Sequence, residues 1–314
     1  MATSVSITTT YAGEAAAGYI SAALLSSNTI ENGGILVKPN IKYKEVIRTF
    51  STDGLVANGG CDFADTSTIT TAERIIQPEE FQVNLELCKQ SFRNDWDAVS
   101  MGYSAFDNVP KTFQDYLLGY VAAKVATKNE SNIWHGVNAT PGEYDGLVVL
   151  ATADGTVNDV VGTTVTAANV ITELGKVVDA IPAALYGDPA LQIYVSQNVA
   201  RAYVRALGGF VATIGAAGNN DQGTQWYDGG AGLSFDGVKL FVANGLNDNY
   251  MVAAKSDNLW FGTGLMSDLS FAKVLDMEDL DGSQNVRVIM RFTAGIQYGV
   301  VEDIVTYGIT NGAN

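Results

Sequence analysis

A single histidine, His135, in 314 residues leaves little room for most proton-transfer chemistry, because histidine is the side chain that ordinarily titrates near neutrality. The two cysteines, Cys61 and Cys88, are too few for a disulfide framework and share no metal-type spacing, so a reducing compartment is expected. Basic residues are also scarce, with 18 Lys+Arg against 34 Asp+Glu and a net charge of −16. So acidic a surface does not grip a phosphate backbone, and nucleic acid is expected as a weakly bound neighbour only. No apolar run approaches the ~20 residues needed to cross a bilayer. No basic residue precedes Lys38, which leaves out the charged region of a signal peptide. These absences predict a soluble chain retained in a cytoplasm, where the sequons at Asn129 and Asn138 carry little weight. With 47% hydrophobic and 17% charged residues, the chain can still bury a real core, in one large domain or two smaller ones.

The pattern of what is present is mixed α and β. Residues 11–26 read as a short Ala-rich helix behind a polar tail. Residues 35–50 read as strand broken at Pro39. Residues 51–71 are rich in Gly, Ser, Thr, Asn and Asp and poor in large apolar groups, an exposed excursion. It returns through Phe81, Val83, Leu85 and Leu87, whose strict alternation with polar residues predicts a half-buried strand. Residues 35–90 thus form a long hairpin whose tip lies far from its base. The strongest helix signal runs from Pro110 to Gly136, with Phe113, Leu117, Val121 and Val125 at helical spacing beside Tyr116 and Tyr120. At ~1.5 Å per residue such a helix is a rod of about 40 Å.

Residues 141–165 read as turns and short strand pieces, Thr166–Ile181 as helix, Leu191–Val195 as strand, and Ser196–Leu207 as a capped helix. A glycine- and amide-rich loop covers 212–234 and contains Trp226 and Tyr227. From Phe235 onward the pattern is β, ending in two long strands, Val286–Phe292 and Ile296–Tyr307, expected to pair with each other.

Candidates for chemistry are weak. His135 ends the long helix, where a cation suits the dipole for structural reasons. The acidic run Asp276, Glu278, Asp279 and Asp281 lacks the terminal carboxylate of an EF-hand loop. Gly229-Gly230-Ala231-Gly232 lacks the strand–helix setting of a phosphate loop, and no Gly-Lys-Ser/Thr occurs. Trp226 and Tyr227 stand without a basic neighbour and read as a subunit contact before a stacking platform. No catalytic residue, metal or cofactor is expected.

The order of elements resembles the major capsid proteins of tailed bacteriophages, which share the Hong Kong ninety-seven fold. Its carriers are Pro39-Asn40-Ile41-Lys42 entering the hairpin, Ala72 to Pro78 leaving its tip, and the alternating strand Phe81–Leu87. They continue with the helix end Asn132-Ile133-Trp134-His135-Gly136, the turn Tyr144-Asp145-Gly146-Leu147, and Gln192 to Ser196 leading into a helix. Gly237 to Val242 and Asn258 to Gly262 complete the set.

The resemblance implies an α+β phage major capsid protein fold. Residues 1–34 form an N-terminal arm and 45–80 an extended β-hairpin loop over a neighbouring subunit. Residues 183–250 form an axial domain, and 35–44, 81–182 and 251–314 a peripheral domain with a spine helix over 110–136. It implies subunit contacts at Phe50, Leu55, Val56, Phe63, Ile75 and Ile76 of the extended loop, and at Trp226 and Tyr227 of the axial loop. It further implies hexamers and pentamers in an icosahedral shell around packaged DNA, assembly in a host bacterial cytoplasm, and portal, cement and separate scaffolding proteins as possible partners. The chain starts almost at the arm, so it is either scaffolded in trans or a processed form. Some relatives weld subunits through a loop lysine, but 51–77 contains none, so no such bond is expected. The rival readings are an encapsulin-like compartment shell, and a tail-tube or surface-layer subunit that would not need the long helix.

Overall fold

A computed structural model of the chain describes residues 28–54, 56, 58–59, 67–88, 111–207, 233–264 and 272–309. In chain order the elements begin with α1 (Asn28–Glu31), β1 (Leu36–Lys38), β2 (Glu45–Asp53), β3 (Thr68–Ile76), β4 (Glu79–Cys88) and α2 (Lys111–His135). They continue with α3 (Leu147–Ala153), β5 (Asn158–Val160), α4 (Val170–Ala180), β6 (Leu191–Val195), α5 (Gln197–Leu207), β7 (Ser234–Phe235) and β8 (Val238–Val242). The chain closes through β9 (Met251–Lys255), β10 (Leu259–Gly262), β11 (Ala272–Asp276), α6 (Glu278–Asp281), β12 (Asn285–Tyr298) and β13 (Val305–Tyr307). The expected Ala-rich helix at 11–26 lies outside the described residues.

Two sheets organise the body. The first has five strands in the order β1-β10-β12-β11, with β4 also paired to β12 from Asn285↔Cys88 to Ala294↔Glu79. The second has six, in the order β5-β13-β9-β6-β8-β7. Strand β4 alternates as the sequence requires, with Phe81, Val83, Leu85 and Leu87 partly buried and the intervening side chains exposed. Strand β12 is the backbone of the molecule. Its even-numbered side chains point one way, so Val286, Val288 and Met290 pack under α2 with Leu118, Val121 and Val274. Further along the same face, Ala294, Ile296 and Tyr298 enter a second core with Ile133, Trp134, Tyr194, Phe241, Leu259 and Phe261. One strand therefore feeds two cores and ties the sheets together.

The six-stranded sheet is covered on its other face by α4 and α5, where Val170, Leu174, Val177, Val199 and Tyr203 meet Leu191, Ile193 and Val195. All five residues of β6 are buried, as a strand with both faces covered demands. This sheet also takes in β5, β9 and β13, so strands from outside 183–250 complete it.

Three sequence expectations are corrected. The two closing strands do not pair: Val286 to Tyr298 is one continuous strand, and Val305–Tyr307 lies in the other sheet. Within it Gly295 serves close approach, since a Cβ there would stand 2.9 Å from the Gln77 carbonyl and Pro78. Residues 147–153, read as turn and strand, are the helix α3, whose apolar residues pack on β12. On α2, Val121 is buried and Val125 packs beside it as expected, together with Leu118, Ala122, Ala126 and Ile133, but Tyr120 is 55% exposed outside the stripe; the side chains of Phe113, Tyr116 and Leu117 lie outside the described residues.

The start of the described chain is locked to α2. Glu130 is buried and accepts from the Thr29 amide at 3.1 Å and from the Thr29 hydroxyl, while Trp134 Nε1 donates to Thr29 Oγ1 at 3.1 Å.

Candidate intersubunit surface

Strands β2 and β3 form a two-stranded ribbon that pairs with neither main sheet, in register from Glu45↔Ile76 to Asp53↔Thr68. Nine residues of strand reach about 30 Å. A ribbon of two strands is marginal alone in water, so its geometry depends on what holds each face.

Directly opposed residues in an antiparallel pair share a face. One face therefore carries Val46 with Ile75, Arg48 with Glu73, Phe50 with Thr71, and Thr52 with Ile69. All four of its apolar side chains are solvent-exposed: Val46 45%, Ile75 49%, Ile69 65% and Phe50 72%. The Arg48–Glu73 ion pair, Nε to Oε1 3.0 Å, sits among them and is itself exposed, so it contributes little to stability. Val56, beyond the end of β2, is 94% exposed.

The opposite face is used at its base. Ile47 and Ile76 pack with Ile41 beneath Trp260, all three isoleucines buried. A latch lies beside them. Arg74 Nη2 meets Asp154 Oδ2 at 2.5 Å, its guanidinium lies 4.5 Å from the centre of the Tyr298 ring, and Tyr298 donates to the same carboxylate at 3.1 Å. Hydrogen bonds from Thr156 and Arg74 hold the Asp154 carboxyl well below the usual carboxylate range, and burial pushes the Tyr298 hydroxyl up to about 12. Gln297 Nε2 donates to the Ile75 carbonyl at 3.2 Å, and Lys38 pairs with Glu45 at 2.7 Å. The ribbon is thus clamped at its root to β10, β12 and the end of α3.

Of the residues expected at subunit contacts, Phe50, Val56 and Ile75 are exposed on this ribbon and its end, whereas Ile76 is fully buried within its own chain. Ile76 is an anchor and is corrected on that ground: one step of strand turns it to the face opposite Ile75. Leu55, Phe63, Trp226 and Tyr227 lie outside the described residues. Val46 and Ile69 were missed, although alternation through 46, 48 and 50 was legible once the strand was paired.

His135 behaves differently from a dipole-compensating cation. Its Nε2 accepts the Asn247 amide at 2.9 Å, and burial lowers its pKa to about 4, so the ring is neutral and serves as an acceptor. No group of metal-ligating side chains occurs among the described residues, and no described helix is long and apolar enough to cross a membrane.

The architecture is that of viral shell proteins. Among solved structures, the capsid of a native GTA particle is similar, with a TM-score of 0.59 and 13% identity over 91% of this chain and 89% of that one. The capsid of Myoviridae phage XM1 gives a TM-score of 0.57 at 11% identity, covering 98% and 95% of the two chains. A virus-like particle from Pyrococcus furiosus gives 0.52 at 8% identity over 92% and 96%. No family model and no curated protein matches the sequence. At such identities the likeness is one of fold: the chain has the α+β fold of phage and GTA capsid proteins.

Proposed function

We propose that this chain is the major capsid protein of a tailed bacteriophage. Its copies assemble as hexamers and pentamers into an icosahedral shell that encloses double-stranded DNA, in the virion and after assembly in the host cytoplasm. Its role is structural and not catalytic, and it needs no cofactor. In this reading residues 1–34 are the arm, 45–80 the extended loop, 183–250 with its added strands the axial domain, and the rest the peripheral domain. Portal, scaffolding and cement proteins are the kinds of partner such a shell can take, and no membrane is involved.

The observation that carries the reading is the ribbon's exposed apolar face. A protein that lived alone would not hold Val46, Phe50, Ile69 and Ile75 in water on a clamped projection. Covering four side chains that are about half to three-quarters exposed contributes on the order of 1–2 kcal/mol each, comparable with the several kcal/mol cost of association. The acidic balance fits a container that must confine DNA without binding it tightly.

Replacing residues 50–71 by an Asn-Gly turn keeps Ile47, Arg74 and Ile76 in place, so the protomer is expected to fold. Electron microscopy should then show no closed shells, and Phe50→Asp in the full chain should act the same way. Normal particles from either variant would sink the reading.

A second reading is a compartment shell of the same fold that holds protein cargo in place of a genome. Nuclease treatment and protein analysis of purified particles separate the two: a nuclease-protected genome supports the virion, enclosed enzymes the compartment.

A further inference from the structure

A cleft of about 430 Å³ runs between α2 and β4, walled by Phe81, Val83 and Leu85 of the strand and by Tyr120, Val121 and Val125 of the helix. Asn129 and Asn132, farther along α2, complete its lining and are only 2% and 4% exposed. Tyr144 donates to Asn129 Oδ1 at 2.9 Å, and Asn132 Nδ2 donates to the Gly142 carbonyl at 3.0 Å, which fixes how both amides are turned. The Asn129 Nδ2 donor and the Asn132 Oδ1 acceptor are then left, one helical turn apart, with no partner among the described residues. A buried donor beside a buried acceptor is the complement of the C=O and N–H of a peptide backbone.

The strand that walls the cleft is itself open. β4 pairs with β12 alone, so no described strand meets its other edge, which presents a row of backbone N–H and C=O groups. A strand laid along that edge would continue the sheet and point alternate side chains into the cleft below α2.

Length and uncommitted apolar side chains select the occupant. The free edges of β1, β5, β7 and β11 run for at most five residues, against ten in β4. Another copy's β4 is long enough, but its Val83, Leu85 and Leu87 already pack in the core under their own α2. Ribbon strands β2 and β3 have nine residues each, pair only with each other, and hold Val46, Phe50, Ile69 and Ile75 exposed. Among the described strands these two alone combine a long free edge with apolar side chains that nothing covers. The ribbon does not line the cleft of its own chain, so the strand that fits comes from a second copy.

We infer that β2 of one copy adds to the free edge of β4 in a second copy, seating Phe50 in the cleft below α2 and turning backbone groups toward Asn129 and Asn132. The inference rests on the self-assembly reading above and names the surface that receives the ribbon. Strand β2 is the donor because it carries Phe50, at 72% the most exposed of the four apolar side chains. Main-chain pairing along β4 supplies affinity, and the cleft supplies selectivity for a large apolar side chain. Ribbon and cleft are different patches, so the contact is heterologous. Each copy gives its ribbon to one neighbour and receives that of another, the arrangement that closes rings.

The test uses full-length chains in a Cys61→Ser/Cys88→Ser background, each with one new cysteine. Thr52→Cys lies on the face of Phe50, and Lys124→Cys is exposed on the rim of the cleft. Mixed and oxidised, the two are expected to link positions 52 and 124, identified by mass spectrometry. The yield should exceed by at least about tenfold that of Thr52→Cys with Ile171→Cys, an exposed position on α4. Adding Phe50→Asp to the Thr52→Cys chain should lower the yield by a similar factor. A yield no higher than the Ile171 control, or one that Phe50→Asp leaves unchanged, overturns the proposal and gives the cleft to another segment of its own chain or to solvent. Closed particles that form without the link overturn this contact and leave the shell reading standing. Wild type that forms no particles sinks the shell reading, and the link in the mixed solution still decides the contact.

Discussion

Neutral His135 receives the Asn247 amide, so it links the end of α2 to the loop between β8 and β9. Its pKa is lowered from an ordinary 6.5 to about 4 by burial, while the unfolded chain protonates near 6.5. Below 6.5 the unfolded state therefore binds more protons, and stability is lost as pH falls from 6.5 toward 4. By pH 4.5 the loss amounts to about 2–3 kcal/mol. Urea midpoints measured from pH 7 to 4.5 should fall accordingly, and His135→Gln should flatten that part of the curve. A wild-type profile indistinguishable from the variant's would show that the ring is not buried neutral. At this scale the sequence placed the histidine at a helix end for a structural reason, but that the ring is neutral depended on its burial in the folded chain, where it meets a loop more than 100 residues away. Ile75 and Ile76 make the same point: composition treats them alike, and pairing register sends one outward and one into the core.

Among elements, α2 and β4 were the most legible, because a 3.6-residue and a two-residue period each leave a long trace. The face that α2 buries was less so. Leu118 is fully buried between α2 and the sheet, so Leu118→Asp places a charge against Val286 and Val288. A cost of at least about 3 kcal/mol is expected, read as a lower denaturant midpoint or as insoluble protein. An equivalent change at exposed Tyr120 should stay within about 0.5 kcal/mol. Helix α3 escaped the sequence because seven residues give too short a period to separate helix from strand. The single strand β12 was divided between Phe292 and Ile296, where Thr293, Ala294 and Gly295 interrupt the run of large apolar residues; Ala294 and Gly295 are small because the strand is closely packed there.

Across the whole molecule, the described chain is a clamped body with a projecting ribbon whose apolar side faces away from that body. The absence of lysine from 51–77 leads to a further expectation: particles boiled in SDS should run as a single monomer band, and a ladder of multimers would disprove it. Length, acidity and the two periodicities dictated a mixed α+β chain with a long helix and an excursion too poor in apolar residues to make its own core. Folding settled which strands share a sheet, since β4 and β12 meet across roughly 200 residues and contacts of that range leave no local pattern. It also settled which ribbon residues are anchors and which face outward, because a side chain's direction depends on the partner strand it is paired with, and that partner is set by the packed body.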